Sequence, residues 1–234
     1  MKSLLCTFLL CSSFLLAQEN NSSVSTRDTL IEKGRQAYFS KKLPLLKKIT
    51  TQIDSLYQKT SDSILLAKYF HFKALQSKLT YTNDSAFYYY HLSKDISKKT
   101  NDSLAVGRRL LSLAILQKDA KDFLGSEISS IEALRYLEPI KPSIYLERIY
   151  NNLGVVAEEL DQKNAAIEHY NKTLKINNIT KDQRSYLFTI NNLGLLYQKR
   201  NNHNKAISYF LITLNSNPLI CLYFGLLVPN ILFT

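Results

Sequence analysis

The sequence predicts an all-α fold, a solenoid of antiparallel helix pairs repeated about five times. Three observations carry that expectation: a repeat of 40 residues, a scarcity of helix-breaking residues, and apolar side chains spaced for one face of a helix. Only 6 glycines and 5 prolines occur among 234 residues, which suits long helices with short connections. With 45% hydrophobic residues the chain has enough material to bury a core.

The repeat is plainest in its second half. Asn151-Asn152-Leu153-Gly154 recurs as Asn191-Asn192-Leu193-Gly194, 40 positions on. Each glycine is followed by an Ala-Ile pair, Ala166-Ile167 and Ala206-Ile207, and then by an aromatic residue, Tyr170 and Phe210. Stepping back by the same period gives a column of small residues, Gly34, Ala74, Ala114, Gly154 and Gly194. Two further small columns read Ala86, Ser126, Ala166 and Ala206, then Ser93, Ala133, Thr173 and Thr213. A large apolar column, Leu30, Phe70, Leu110, Tyr150 and Ile190, keeps the same register. Helices approach closely only where side chains are missing, so such columns predict helix crossings with large residues filling either side. Gly154 and Gly194 are then expected to lie against a partner helix backbone.

Linkers divide the units. Lys59-Thr60-Ser61-Asp62-Ser63 and Lys99-Thr100-Asn101-Asp102-Ser103 are nearly one pentapeptide, rich in residues whose side chains accept first-turn N–H groups. Thr180 with Gln183 has the spacing of a capping box, and Lys141-Pro142-Ser143 uses a proline that a first turn tolerates. Helices are therefore expected to start near 62, 102, 143 and 181. Within a unit Tyr150, Leu153, Gly154 and Ala157 share one face, as do Ala166, Tyr170, Thr173 and Leu174 after a break at 161–164.

The pattern Ile190, Leu193, Gly194, Tyr197, Ala206, Phe210 and Pro218 resembles the tetratricopeptide repeat signature, with isoleucine where that family often has tryptophan. Tyr150, Leu153, Gly154, Ala166 and Tyr170 repeat it, with Ala157 in place of tyrosine and Asn178 in place of proline. The resemblance spans about 62–218, weakens over 28–60 around Pro44 and Leu46, and stretches the family's usual ~34 residues to 40. It implies a right-handed α-solenoid whose first helices line a concave binding face.

The termini differ from the body. Lys2, the apolar run Leu4–Leu16 and Ala17 before Gln18 form a predicted export signal over 1–17, too short for a membrane span of roughly 20 residues. A helical region with a degenerate repeat follows over 18–60, then the repeats proper over 61–218. From Ala206 onward no Asp, Glu, Lys, Arg or His occurs, so 219–234 is expected to be an apolar tail, truncated or frame-altered. Cys6 and Cys11 lie in the signal and Cys221 in the tail, which leaves 18–218 to fold by packing alone. The chain is expected on the extracytoplasmic or periplasmic side of a membrane.

No constellation for catalysis, metal or cofactor is legible. His71, His91, His169 and His203 lack metal-ligand spacing, there is no Gly-rich phosphate loop or nucleophile elbow, and the adjacent Glu158 and Glu159 diverge by about 100° on a helix. The formal charge of +11 is spread along helix faces, and with an export signal it favours an acidic protein partner over nucleic acid. Asn152 and Asn192 are read as structural, since Val155 and Leu195 stand where a peptide-carboxylate clamp needs a second asparagine.

The implied groove columns are Lys68, Arg108, Arg148 and Phe188; His71, Leu111, Asn151 and Asn191; and Leu75, Ile115, Val155 and Leu195. A basic rail beside an apolar rail suits an acidic, partly hydrophobic peptide. The expected function is a non-enzymatic protein- or peptide-binding scaffold. The alternative is the extracytoplasmic sensory region of a signalling protein, a histidine kinase or transcription regulator.

Overall fold

The computed structural model describes residues 26–140 and 142–216. The expected export signal and apolar tail, and Lys141, lie outside the described residues. These residues form ten helices and no strand: α1 (26–39), α2 (Leu43–Thr60), α3 (Ser63–Leu79), α4 (Asn83–Lys99), α5 (Ser103–Asp119), α6 (Phe123–Leu137), α7 (Ile144–Glu159), α8 (Lys163–Thr180), α9 (Gln183–Lys199) and α10 (His203–Ser216). The helices α3, α5, α7 and α9 begin within two residues of the positions predicted from the linkers. The chain is an all-α solenoid of paired helices, as expected.

A 20-residue punctuation sets the helix lengths. Lys41, Ser61, Tyr81, Asn101, Lys121, Asp161, Lys181 and Asn201 all have φ between 52° and 64°, and none is glycine. A left-handed residue at a helix end turns the chain back and lets the next N–H groups reach the last carbonyls. Thus Thr82 N donates to Ser77 O, Asp102 N to Ser97 O, Asp122 N to Gln117 O, Gln162 N to Ala157 O and Asn202 N to Tyr197 O, at 2.7–3.0 Å. The next helix starts at once. Asp62, Asp122 and Asp182 cap α3, α6 and α9, and Pro44 sits in the first turn of α2 where its missing N–H costs nothing. The extra residues of the 40-residue unit therefore go into longer helices.

The helices group into two compact units, divided between Asp102 and Ser103. In the first, α3 packs between α2 and α4. Arg27 on α1 reaches Asp62 at 3.2 Å, and Gln76 on α3 donates to Thr50 on α2 at 2.7 Å. Ser93 of α4 donates to the Ala67 carbonyl at 2.8 Å, which ties α4 to its mate α3.

In the second unit α5–α6, α7–α8 and α9–α10 are the pairs, and α6 and α8 each also pack against the following helix. One core joins Val106, Leu110, Leu111, Ala133, Leu137, Leu146, Ile149 and Leu153; another joins Ala157, Ala166, Tyr170, Leu193 and Leu196. The small columns are buried as predicted, with one correction. A Cβ on Gly154 would fall within 3 Å of the Tyr170 ring, and one on Gly194 within 3 Å of the Phe210 ring. The glycines make room for aromatic side chains of the paired helix, not for its backbone.

Thr180 is a second correction. It ends α8, and Asp182 caps α9 by accepting from Arg184 N and Ser185 N. The Thr180 hydroxyl instead donates to Glu147, a fully buried carboxylate at the start of α7 that also accepts from Asn177 at 3.1 Å. His203 is the first residue of α10.

Candidate partner-binding surface

Within the second unit the first helices form the inner layer. The helix α5 lies against α7 and α7 against α9, whereas α6, α8 and α10 have no Cα atoms within 8 Å of one another. A sheet of helices crowded on one side and spread on the other curves towards the crowded side. The faces of α5, α7 and α9 turned away from their mates are therefore the concave surface of this unit.

Polar side chains lace these helices edge to edge. The Arg108 guanidinium stands 4.6 Å over the Tyr145 ring, joining α5 to α7. Asn151 Oδ1 accepts from Thr189 at 3.3 Å and from Asn192 at 3.2 Å, joining α7 to α9. Lys199 reaches Glu158 at 2.5 Å, and that carboxylate holds the ammonium above its ordinary pKa. Asn152 is structural, as expected: it is buried and donates to Ser126 at 2.9 Å and Ser130 at 3.1 Å.

The predicted groove residues divide by burial. Arg148 and Leu195 are exposed; Arg108, Ile115, Asn151, Val155 and Phe188 are half-buried. Leu111 and Asn191 are buried, as is Leu75 in the first unit, so these three belong to the packed interior and present no groove surface. Columns drawn from one helix face include residues that turn towards the neighbouring unit, and the 40-residue spacing does not separate the two. Lys68 and His71 are half-buried on α3 of the first unit.

A fourth column was missed. Leu104, Ile144 and Arg184 lie one turn before Arg108, Arg148 and Phe188, and all three are exposed. The Arg184 guanidinium stands 5.6 Å from the Phe188 ring, so the two columns share a face. The same 40-residue step would have found them. Across the four columns the second unit offers Arg108, Arg148 and Arg184 among Leu104, Ile144, Phe188, Ile115, Val155 and Leu195, without a carboxylate.

Among the described residues no cluster of His, Cys, Asp or Glu is arranged to hold a metal, and no helix is long and apolar enough to cross a membrane. His169 is half-buried beside Tyr150, and burial followed by the nearby Lys172 pushes its pKa down.

The sequence profile of the tetratricopeptide repeat family matches residues 145–211. No curated protein matches the sequence. Among solved structures the chain is similar to BtubC (BKLC) from P. vanneervenii, at 20% identity and a TM-score of 0.60, with 81% of this chain and 87% of that one covered. It is also similar to PilF of Pseudomonas aeruginosa, at 16% identity and a TM-score of 0.65, covering 84% and 78%. Aspartyl phosphate phosphatase F from Bacillus subtilis aligns at 12% identity and a TM-score of 0.65, covering 81% of this chain and 59% of that one. The tetratricopeptide repeat is thus matched in sequence over 145–211, and over most of its length the chain is similar in fold to these solved structures.

Proposed function

We propose that this protein is a non-enzymatic scaffold, exported from the cytoplasm, whose second unit holds an acidic, partly apolar segment of another protein on its concave face. The observation that carries this reading is the charge of that face: three arginines interleaved with apolar side chains and no carboxylate in the same columns. Charges so placed steer an acidic ligand and fix its register, while the apolar side chains supply area once water leaves. Arg148 and Arg184 are exposed and have no ion pair with a described residue, so their charge is available to a ligand.

The test uses the full chain with two synthetic peptides, one alternating Asp or Glu with Leu and its twin with Lys for each acid. The acidic peptide should bind more tightly, with affinity falling as salt rises. Reversing both Arg148 and Arg184 to Glu should weaken it at least tenfold and abolish the salt dependence. Equal binding of the twins, or unchanged affinity in the double variant, would refute the assignment.

A further inference from the structure

The outer helices carry a built-in comparison, because each places the same four positions away from its mate. In α8 they are Asn164, Glu168, Asn171 and Lys175, and in α10 Asn204, Ser208, Leu211 and Asn215. In α2 they are Pro44, Lys48, Thr51 and Ser55, and in α4 Asp84, Tyr88, His91 and Asp95. In α6 they are Leu124, Ile128, Ile131 and Arg135, with the three apolar side chains 64%, 68% and 45% exposed. On the inner face of α6 Ser130 is buried where α4, α8 and α10 place Tyr90, Tyr170 and Phe210, and α2 places Thr50.

A helix facing water gains nothing from three bulky side chains at i, i+4 and i+7, and this spacing is the register by which one helix packs on another. The stripe has a cation at each end. Lys121 stands just before the helix and Arg135 one turn beyond Ile131; both are exposed, and neither side chain bonds to a described residue. Glu127 and Glu132 flank the stripe, half-buried.

We propose that this outer face of α6 is a second docking surface, distinct from the concave one, for a single amphipathic helix of a partner protein with a carboxylate beyond each end of its apolar stripe. Charge decides among the possible occupants. In a second copy laid antiparallel about Ile128, Lys121 of one chain would face Arg135 of the other, and three side chains fall short of the ~800 Å² per partner that a stable dimer buries. An anionic lipid surface would meet Glu127 and Glu132 with the wrong sign. An acidic helix satisfies both free cations and covers an apolar stripe ~10 Å long.

The probe is a synthetic helix of about five turns with leucines at i, i+4 and i+7 and a glutamate beyond each end, beside a twin with lysines in place of the glutamates. The full chain should bind the acidic helix at least tenfold more tightly than the twin. Ile128→Ser should remove that binding without shifting the melting curve, since Ile128 is exposed. Arg148→Glu with Arg184→Glu should leave it intact, which separates this site from the concave face. Reversing Lys121 and Arg135 to Glu should exchange the preference between the twins. Indifference to Ile128→Ser, or loss with the two concave-face reversals, would overturn the proposal. So would self-association or anionic-vesicle binding that Ile128→Ser abolishes, either of which assigns the stripe to another occupant.

Discussion

Eight turns built on left-handed residues other than glycine leave stability unclaimed, and Tyr81 is the position to recover it. Its φ is 58° and its side chain is 90% exposed. An L-residue held in that conformation costs about 1–2 kcal/mol through crowding of Cβ against the backbone. Glycine removes the crowding but returns about 0.5–1 kcal/mol by loosening the unfolded chain. The side chain contributes little because it faces water. Tyr81→Gly keeps the bonds from Tyr81 N to Lys78 O at 3.3 Å and Thr82 N to Ser77 O at 2.9 Å, so the net gain should be about 0.5–1 kcal/mol. Urea denaturation followed by circular dichroism measures it, with amide exchange across α3 and α4 as a local readout. Tyr81→Ala, which retains Cβ, should give no such gain. Asn201→Gly should gain less, because asparagine visits this region readily. If Tyr81→Gly is no more stable than Tyr81→Ala, the conformation is not strained and the reasoning fails.

Two further outcomes follow from packing and from titration. Gly154→Ala should cost about 1–3 kcal/mol in urea denaturation, since the added methyl meets the Tyr170 ring within 3 Å; a neutral result would mean the ring gives way. Burial, then the hydrogen bond to Glu138, pushes the Tyr150 hydroxyl up to about 12 from an ordinary 10. The folded state thus holds this proton more tightly than the unfolded chain, so the stability it lends is complete below pH 10 and lost as pH rises towards 12. Tyr150→Phe should flatten the fall in melting temperature over that interval, and an unchanged slope would exclude Tyr150 as its source.

The helix pairs were legible because five units repeat one solution, and a column read at Gly154 can be checked at Gly34, Ala74, Ala114 and Gly194. What was lost is whatever a single unit does alone. Thr180 resembles a cap, yet its hydroxyl serves Glu147, 33 residues earlier, a pairing that no local spacing announces. The turns carry no glycine at Lys41, Tyr81 or Lys121, so the usual mark of a helix end was absent there. The groove was only partly legible because one helix face serves two purposes. Arg148 and Leu195 reach solvent, whereas Leu111 and Asn191, read from the column that begins at His71, fill the interior.

The buried carboxylate at the start of α7 also bears on how such an array can be rearranged. One unit earlier the same corner holds Gly107 under the Leu137 side chain, with Ile140 packed nearby, where the later unit has Glu147, Asn177 and Thr180. One corner is apolar and the other wholly polar, and each works only with its own mate. A chimera joining α7 to α6 would seal Glu147 under leucine without a donor, and one joining α5 to α8 would leave the Asn177 amide facing a glycine. Whole 40-residue units are thus the natural currency of duplication here, while crossing over between halves is barred, and α5 through α8 keep their order as matched, non-interchangeable parts.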